Sequence, residues 1–182
     1  DPAQLVEDGT LVRYGAPRDQ ANAVAFLCSP AAKFIHGQVL RVDAKSRTLW
    51  FRGVGRTAGV DPYYQQYWKV SIDGGKPTLL TPEAADHTVV PSPDGKLFVD
   101  AYSTSTTPPV TVLRSSDDGR TVAQVAKADI SRLLATGWKA PEPFTVKGRD
   151  GKTDLYGLMY KPTNFDPSKK YPIVDYVYPG PQ

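Results

Sequence analysis

Between residues 46 and 125 the chain is punctuated by Asp-Gly turns: Asp73-Gly74-Gly75, Asp94-Gly95 and Asp118-Gly119. Tight reversals need positive φ, which glycine adopts without steric cost. Asp-Gly between stretches of alternating polarity is therefore a strong hairpin signal. The stretches between these turns do alternate. "SRTLWFR" is one; in "QYWKVSI", Trp68, Val70 and Ile72 share a face opposite Tyr67, Lys69 and Ser71. "KLFVDAY" places Leu97, Val99 and Ala101 together, and "PVTVLRS" and "RTVAQVA" continue the series. Consecutive antiparallel hairpins build a sandwich, a barrel or a propeller blade, and no clean internal repeat chooses among them.

The flanks read differently. Before residue 43, Pro17 and Asp19 suit the first turn of a helix. Ala21, Val24, Ala25, Leu27 and Cys28 recur at helical spacing, and "QVLRVD" alternates as a short strand. After residue 126, "KADISRLLATGW" predicts a helix with Ile130, Leu133 and Leu134 on one face, Asp129 as N-cap and Gly137 as C-cap. "EPFTVKG", the turn Asp150-Gly151 and "TDLYGLMYKP" predict a further hairpin. A polar loop, "NFDPSKKYP", leads into residues 171–178, which read as a strand apolar on both faces apart from Asp175. Such a strand belongs inside a sheet covered on both sides. With neither a start methionine nor a signal pattern at Asp1-Pro2-Ala3-Gln4, the chain reads as cut at both ends.

Composition removes several function classes. Apolar residues at 40% make the chain globular, and no apolar run is long enough to predict a membrane helix. The net charge of +3 is spread out, its densest spots being Lys147/Arg149/Lys152 and Lys169-Lys170; this is a solvated surface and predicts no nucleic-acid partner. The single cysteine, Cys28, stands beside Ala25, Phe26 and Leu27 and reads as a small buried hydrophobe. His36 and His87 have no cysteine or carboxylate partner at metal spacing, so no metal site is expected. The aromatic group "DPYYQQYW" predicts packing between strands, with Tyr63 and Tyr64 at a loop rim. Glu83, followed by Ala84-Ala85, reads as a turn residue after Pro82.

Taken in order, "VDAKSRTLWF", "DPYYQQYWKVSIDGG", "PSPDGKLFVDAYST", "DISRLLATGWKAPEPFTVKGRDGKTDLYGLMYKP" and "FDPSKKYPIVDYVYPGP" resemble the prolyl oligopeptidase family of serine peptidases, in the branch containing dipeptidyl peptidase IV. The resemblance implies the last blades of a β-propeller leading into the first strands of an α/β-hydrolase domain. The fold expected is thus mainly β with some α. Residues 1–43 would form a helix-strand segment, 44–126 the blade region, and 127–182 the linker helix and first hydrolase strands. Residues 11–43, "RYGAPRDQANAVAFLCSPAAKFIHGQVLRVD" being the stretch that carries it, are similar to the C-terminal tail of a short-chain dehydrogenase. That tail lacks the family's cofactor chemistry. No glycine-rich nucleotide turn is present, and Gln65 stands four residues before Lys69 where a Y-x-x-x-K pair would need tyrosine. No cofactor is expected.

Serine-peptidase catalysis needs a nucleophile, a base, an orienting acid and an oxyanion hole. No G-x-S-x-G pentapeptide occurs; Ser71 and Ser92 lie in blade turns. The triad order Ser, Asp, His places all three members beyond the apolar segment at 171–178, so His36 and His87 are not candidate bases. The resemblance implies one functional group, Tyr178 in "VYPGP", as an oxyanion-hole donor; Pro179 stands where the family usually has a small residue. The paired acidic residues that bind a substrate amino terminus in the family have no counterpart here. The implied partner is a peptide substrate of a full-length parent, the implied setting periplasmic or extracellular, with this chain by itself inactive. Exposed strand edges favour self-association. Two other readings stay open on the residues alone: a non-enzymatic β-rich binding module, and the remnant of an NAD(P)-dependent reductase.

Overall fold

The structure is a computed structural model that describes residues 41–43 and 46–177. It divides into two compact units, Asp1–Asp129 and Ile130–Gln182. The helix expected before residue 31, Cys28, His36 and Tyr178 lie outside the described residues.

The first unit contains two four-stranded antiparallel sheets, each a meander in chain order. The first sheet is β1 (Arg41–Asp43), β2 (Thr48–Gly53), β3 (Gln66–Ser71) and β4 (Thr78–Leu79). The second is β5 (Asp86–Pro91), β6 (Leu97–Ser103), β7 (Val110–Ser115) and β8 (Thr121–Lys127). Four-stranded antiparallel meanders are the unit from which propellers are built. The Asp-Gly turns behave as their chemistry requires: Gly74, Gly75, Gly95 and Gly119 all have positive φ.

Strand β2 is buried on both faces. Leu49 and Phe51 join Val70 and Ile72 in one cluster, with Trp68 packed against it, as the alternation in "QYWKVSI" predicts. Trp50, pointing the other way, meets Leu80 and Phe98 and so ties the first sheet to the second. The Trp50 and Phe98 rings meet edge to face at 5.3 Å, a favoured aromatic geometry. Polar contacts reinforce this junction. Lys69 Nζ donates to the carbonyls of Ser116 at 2.7 Å and Asp117 at 3.1 Å. The backbone N–H of Gln65 donates to Asp86, and that of His87 donates to the Gln65 carbonyl.

Leu97, Val99 and Ala101 do share a face of β6, but the buried face is the opposite one: Phe98 and Asp100 are fully buried, whereas Val99 is exposed. In the second unit the helix α1 is one turn, Ser131–Leu134. Its N-cap is Ile130 rather than Asp129, with no side-chain capping bond, and Leu133 and Leu134 are exposed. A four-residue helix completes too few i→i+4 bonds to present an apolar stripe. The C-cap is Ala135 rather than Gly137, which follows two residues later at φ 82.

The hairpin of β9 (Glu142–Lys147) and β10 (Asp154–Met159) forms as expected, in a register that sets Val146 opposite Leu155 and Phe144 opposite Gly157. The Phe144 ring lies over Gly157, so a side chain there would collide with it. The apolar C-terminal stretch departs from its expected strand. Residues 171–177 form no strand, and Ile173, Val174, Tyr176 and Val177 are largely exposed. Apolar composition makes a strand possible, but hydrogen-bonded neighbours make it one, and no described strand pairs with it.

Candidate functional site

Among the described residues, titratable side chains converge in one buried place, on the core face of the second sheet. Side chains alternate across a strand, so Phe98, Asp100 and Tyr102 of β6 point together. His87 of β5 stands opposite Tyr102, Val112 of β7 opposite Asp100, and Arg114 opposite Phe98. Diagonal neighbours on one face lie within reach of long side chains. His87, Asp100 and Arg114 therefore meet, and all three are buried. Glu83, in the connection between β4 and β5, reaches the same cluster from the first sheet's side.

Asp100 is the centre. The His87 Nδ1 lies 2.9 Å from its Oδ1, and Arg114 Nε donates to its Oδ2 at 2.8 Å. Arg114 spends its other donors on the Glu83 carboxylate at 2.5 Å, the Gly119 carbonyl at 3.0 Å and the Thr121 hydroxyl at 3.1 Å. Burial disfavours the guanidinium's charge, but the hydrogen bonds and charges of Glu83 and Asp100 outweigh it and raise Arg114 above its usual range. The Tyr102 ring stacks obliquely on His87 at 5.2 Å. Burial first, then the Glu83 and Asp100 charges against the opposing charge of Arg114, push its phenol up.

A buried His–Asp pair is two thirds of a serine-peptidase triad, so its third position decides what it can do. The far nitrogen of His87, Nε2, faces the Glu83 carbonyl at 3.1 Å, not a hydroxyl, and the ring is closed to solvent. Neither serine singled out from the sequence is an activated nucleophile. The single Ser92 hydroxyl proton stays within its own turn, where Asp94 Oδ1 lies at 2.7 Å and the Leu97 carbonyl oxygen at 2.8 Å, and Ser71 Oγ accepts from the Asp73 backbone. The pair is thus a packing element.

Metal binding fares no better on the chemistry of the cluster. Ligand atoms of Glu83, His87 and Asp100 lie within 4.8 Å of one another. Arg114 already bonds both carboxylates, and a metal ion would have to displace this buried cation. Two sequence readings are corrected here. His87 does have a carboxylate partner, Asp100, supplied by strand pairing rather than by sequence spacing. Glu83 is more than a turn residue, because its carboxylate anchors Arg114 and its carbonyl accepts from Gln66 Nε2. The available signal was period-two spacing: Asp100 and Arg114 occupy the same face as Phe98 and Val112.

Tyr178, the oxyanion candidate, lies outside the described residues. The loop before it is locally built. Phe165 stacks on Tyr171 at 5.1 Å, and the Tyr171 hydroxyl accepts from the Asp166 backbone N–H at 2.9 Å.

Known proteins resemble the chain over much of its length. Residues 24–109 match the family described as the dipeptidyl peptidase IV N-terminal region. Human dipeptidyl peptidase 8 is 30% identical over 154 residues, a match covering 81% of this chain and 17% of the human protein. The crystal structure of Porphyromonas gingivalis dipeptidyl peptidase 4 has the same fold over 75% of this chain and 19% of its own, with a TM-score of 0.58 at 20% identity. The dehydrogenase resemblance of residues 11–43 has a short counterpart. The 7α-hydroxysteroid dehydrogenase of Escherichia coli K12 is 45% identical over 40 residues, 22% of this chain and 16% of that enzyme. The chain thus spans less than a fifth of the length of each of these relatives. Family match, relative and fold together support a dipeptidyl peptidase IV-like segment that is mostly β and propeller-like in fold.

Proposed function

We propose that these residues work within a serine-type peptidase of the prolyl oligopeptidase family that releases dipeptides from the amino termini of peptide substrates. The two four-stranded sheets serve as propeller blades, and residues 127–182 lead into an α/β-hydrolase domain. The nucleophile, acid and base belong to that domain beyond residue 182, and Tyr178 contributes an oxyanion hydrogen bond. The carrying observation is the similarity to dipeptidyl peptidase 8. At 81% of the chain, that match necessarily runs through the boundary at Asp129 between the two units. Such continuity supports a propeller-to-hydrolase segment over a free-standing binding module, and it leaves the reductase reading only the short N-terminal match. A periplasmic or extracellular setting belongs to the same proposal.

The 182-residue chain by itself is expected to be inactive, since it holds no G-x-S-x-G elbow and its one described histidine is sealed against Asp100. A fluorophosphonate probe should leave the isolated chain unlabelled and label the longer polypeptide, which should also release dipeptides from a chromogenic dipeptidyl substrate. Stoichiometric serine labelling of the 182-residue chain would overturn the assignment of the nucleophile to residues beyond it. An unlabelled, inactive longer polypeptide would overturn the peptidase reading.

A further inference from the structure

We draw no further inference here: the strongest candidate, the exposed apolar face of the β9–β10 hairpin formed by Phe144, Val146, Leu155 and Met159, with the exposed stretch at residues 173–177 of the same unit, carries nothing because nothing in the structure shows what covers it.

Discussion

Replacing Gly119 by alanine tests the junction of the two sheets at one atom. Gly119 sits in the β7–β8 turn at φ +77, and its carbonyl accepts a bond from Arg114. A Cβ added there would lie 2.7 Å from the Leu80 Cα and closer still to the Leu80 carbonyl oxygen. Leu80 is fully buried, and the colliding atoms are backbone, so no side chain can swing aside. Two costs add. Left-handed backbone costs a non-glycine residue about 1–2 kcal/mol, and overpacking a filled interior costs a further ~1–3 kcal/mol. Gly74 separates them, because it too has positive φ, +102, while nothing lies within 4 Å of its added Cβ. Gly74→Ala should therefore lose only the backbone share. Gly119→Ala should lose about 2 kcal/mol more, a factor of roughly 30 in the folding equilibrium. Urea unfolding followed by tryptophan fluorescence reads this, since Trp50 packs directly on Phe98 at the same junction. Equal midpoint shifts for the two variants would refute the close approach of the β7–β8 turn to Leu80.

Arg114→Met should destabilise the first unit by about 3–5 kcal/mol, because it leaves the Asp100 carboxylate buried with its guanidinium partner gone. Arg114→Lys should recover only part, since one ammonium cannot reproduce the fork to Asp100, Glu83 and Gly119; a loss below ~1 kcal/mol for the methionine variant in urea unfolding would contradict both expectations. The Asp150 carboxyl is held down from 3.8 to about 2, first by the Thr153 hydroxyl and then by the backbone N–H groups of Lys152 and Thr153. Its folded value lies below its unfolded one, so the turn's contribution is full above about pH 4 and is lost as pH falls towards 2. An NMR titration of the Lys152 and Thr153 amides should show a midpoint near that lowered value, and a midpoint at the ordinary carboxylate value would count against the turn.

Much of the blade region was legible because its signals are local. Period-two alternation marked β3 and β6, and each Asp-Gly pair marked a place where positive φ is needed. The ion cluster was harder to see, because a charge in a strand is ordinarily read as solvent-facing. Asp100 and Arg114 are core residues only because strand pairing gives each a partner, and pairing is a long-range fact. The stretch at residues 171–177 failed in the opposite direction: its apolar residues are a local signal, whereas the neighbours that would make it a strand are not. The Asp129 cap failed for a third reason, since the helix begins one residue later than its best capping side chain and ends after one turn. The role of Tyr178 came from family resemblance alone; by chain position it is one more aromatic in an apolar run.

The oxyanion hydrogen bond proposed for Tyr178 is tested by Tyr178→Phe in the longer polypeptide. The substitution keeps the ring and its packing and deletes only the hydroxyl. A hydrogen bond formed where negative charge develops acts on the transition state, so its loss lowers kcat more than it raises KM. Tyr178→Phe should lower kcat by ~10²–10³, roughly 3–4 kcal/mol of transition-state stabilisation, with KM little changed. A correctly folded Tyr178→Phe enzyme that keeps near-normal kcat would contradict it.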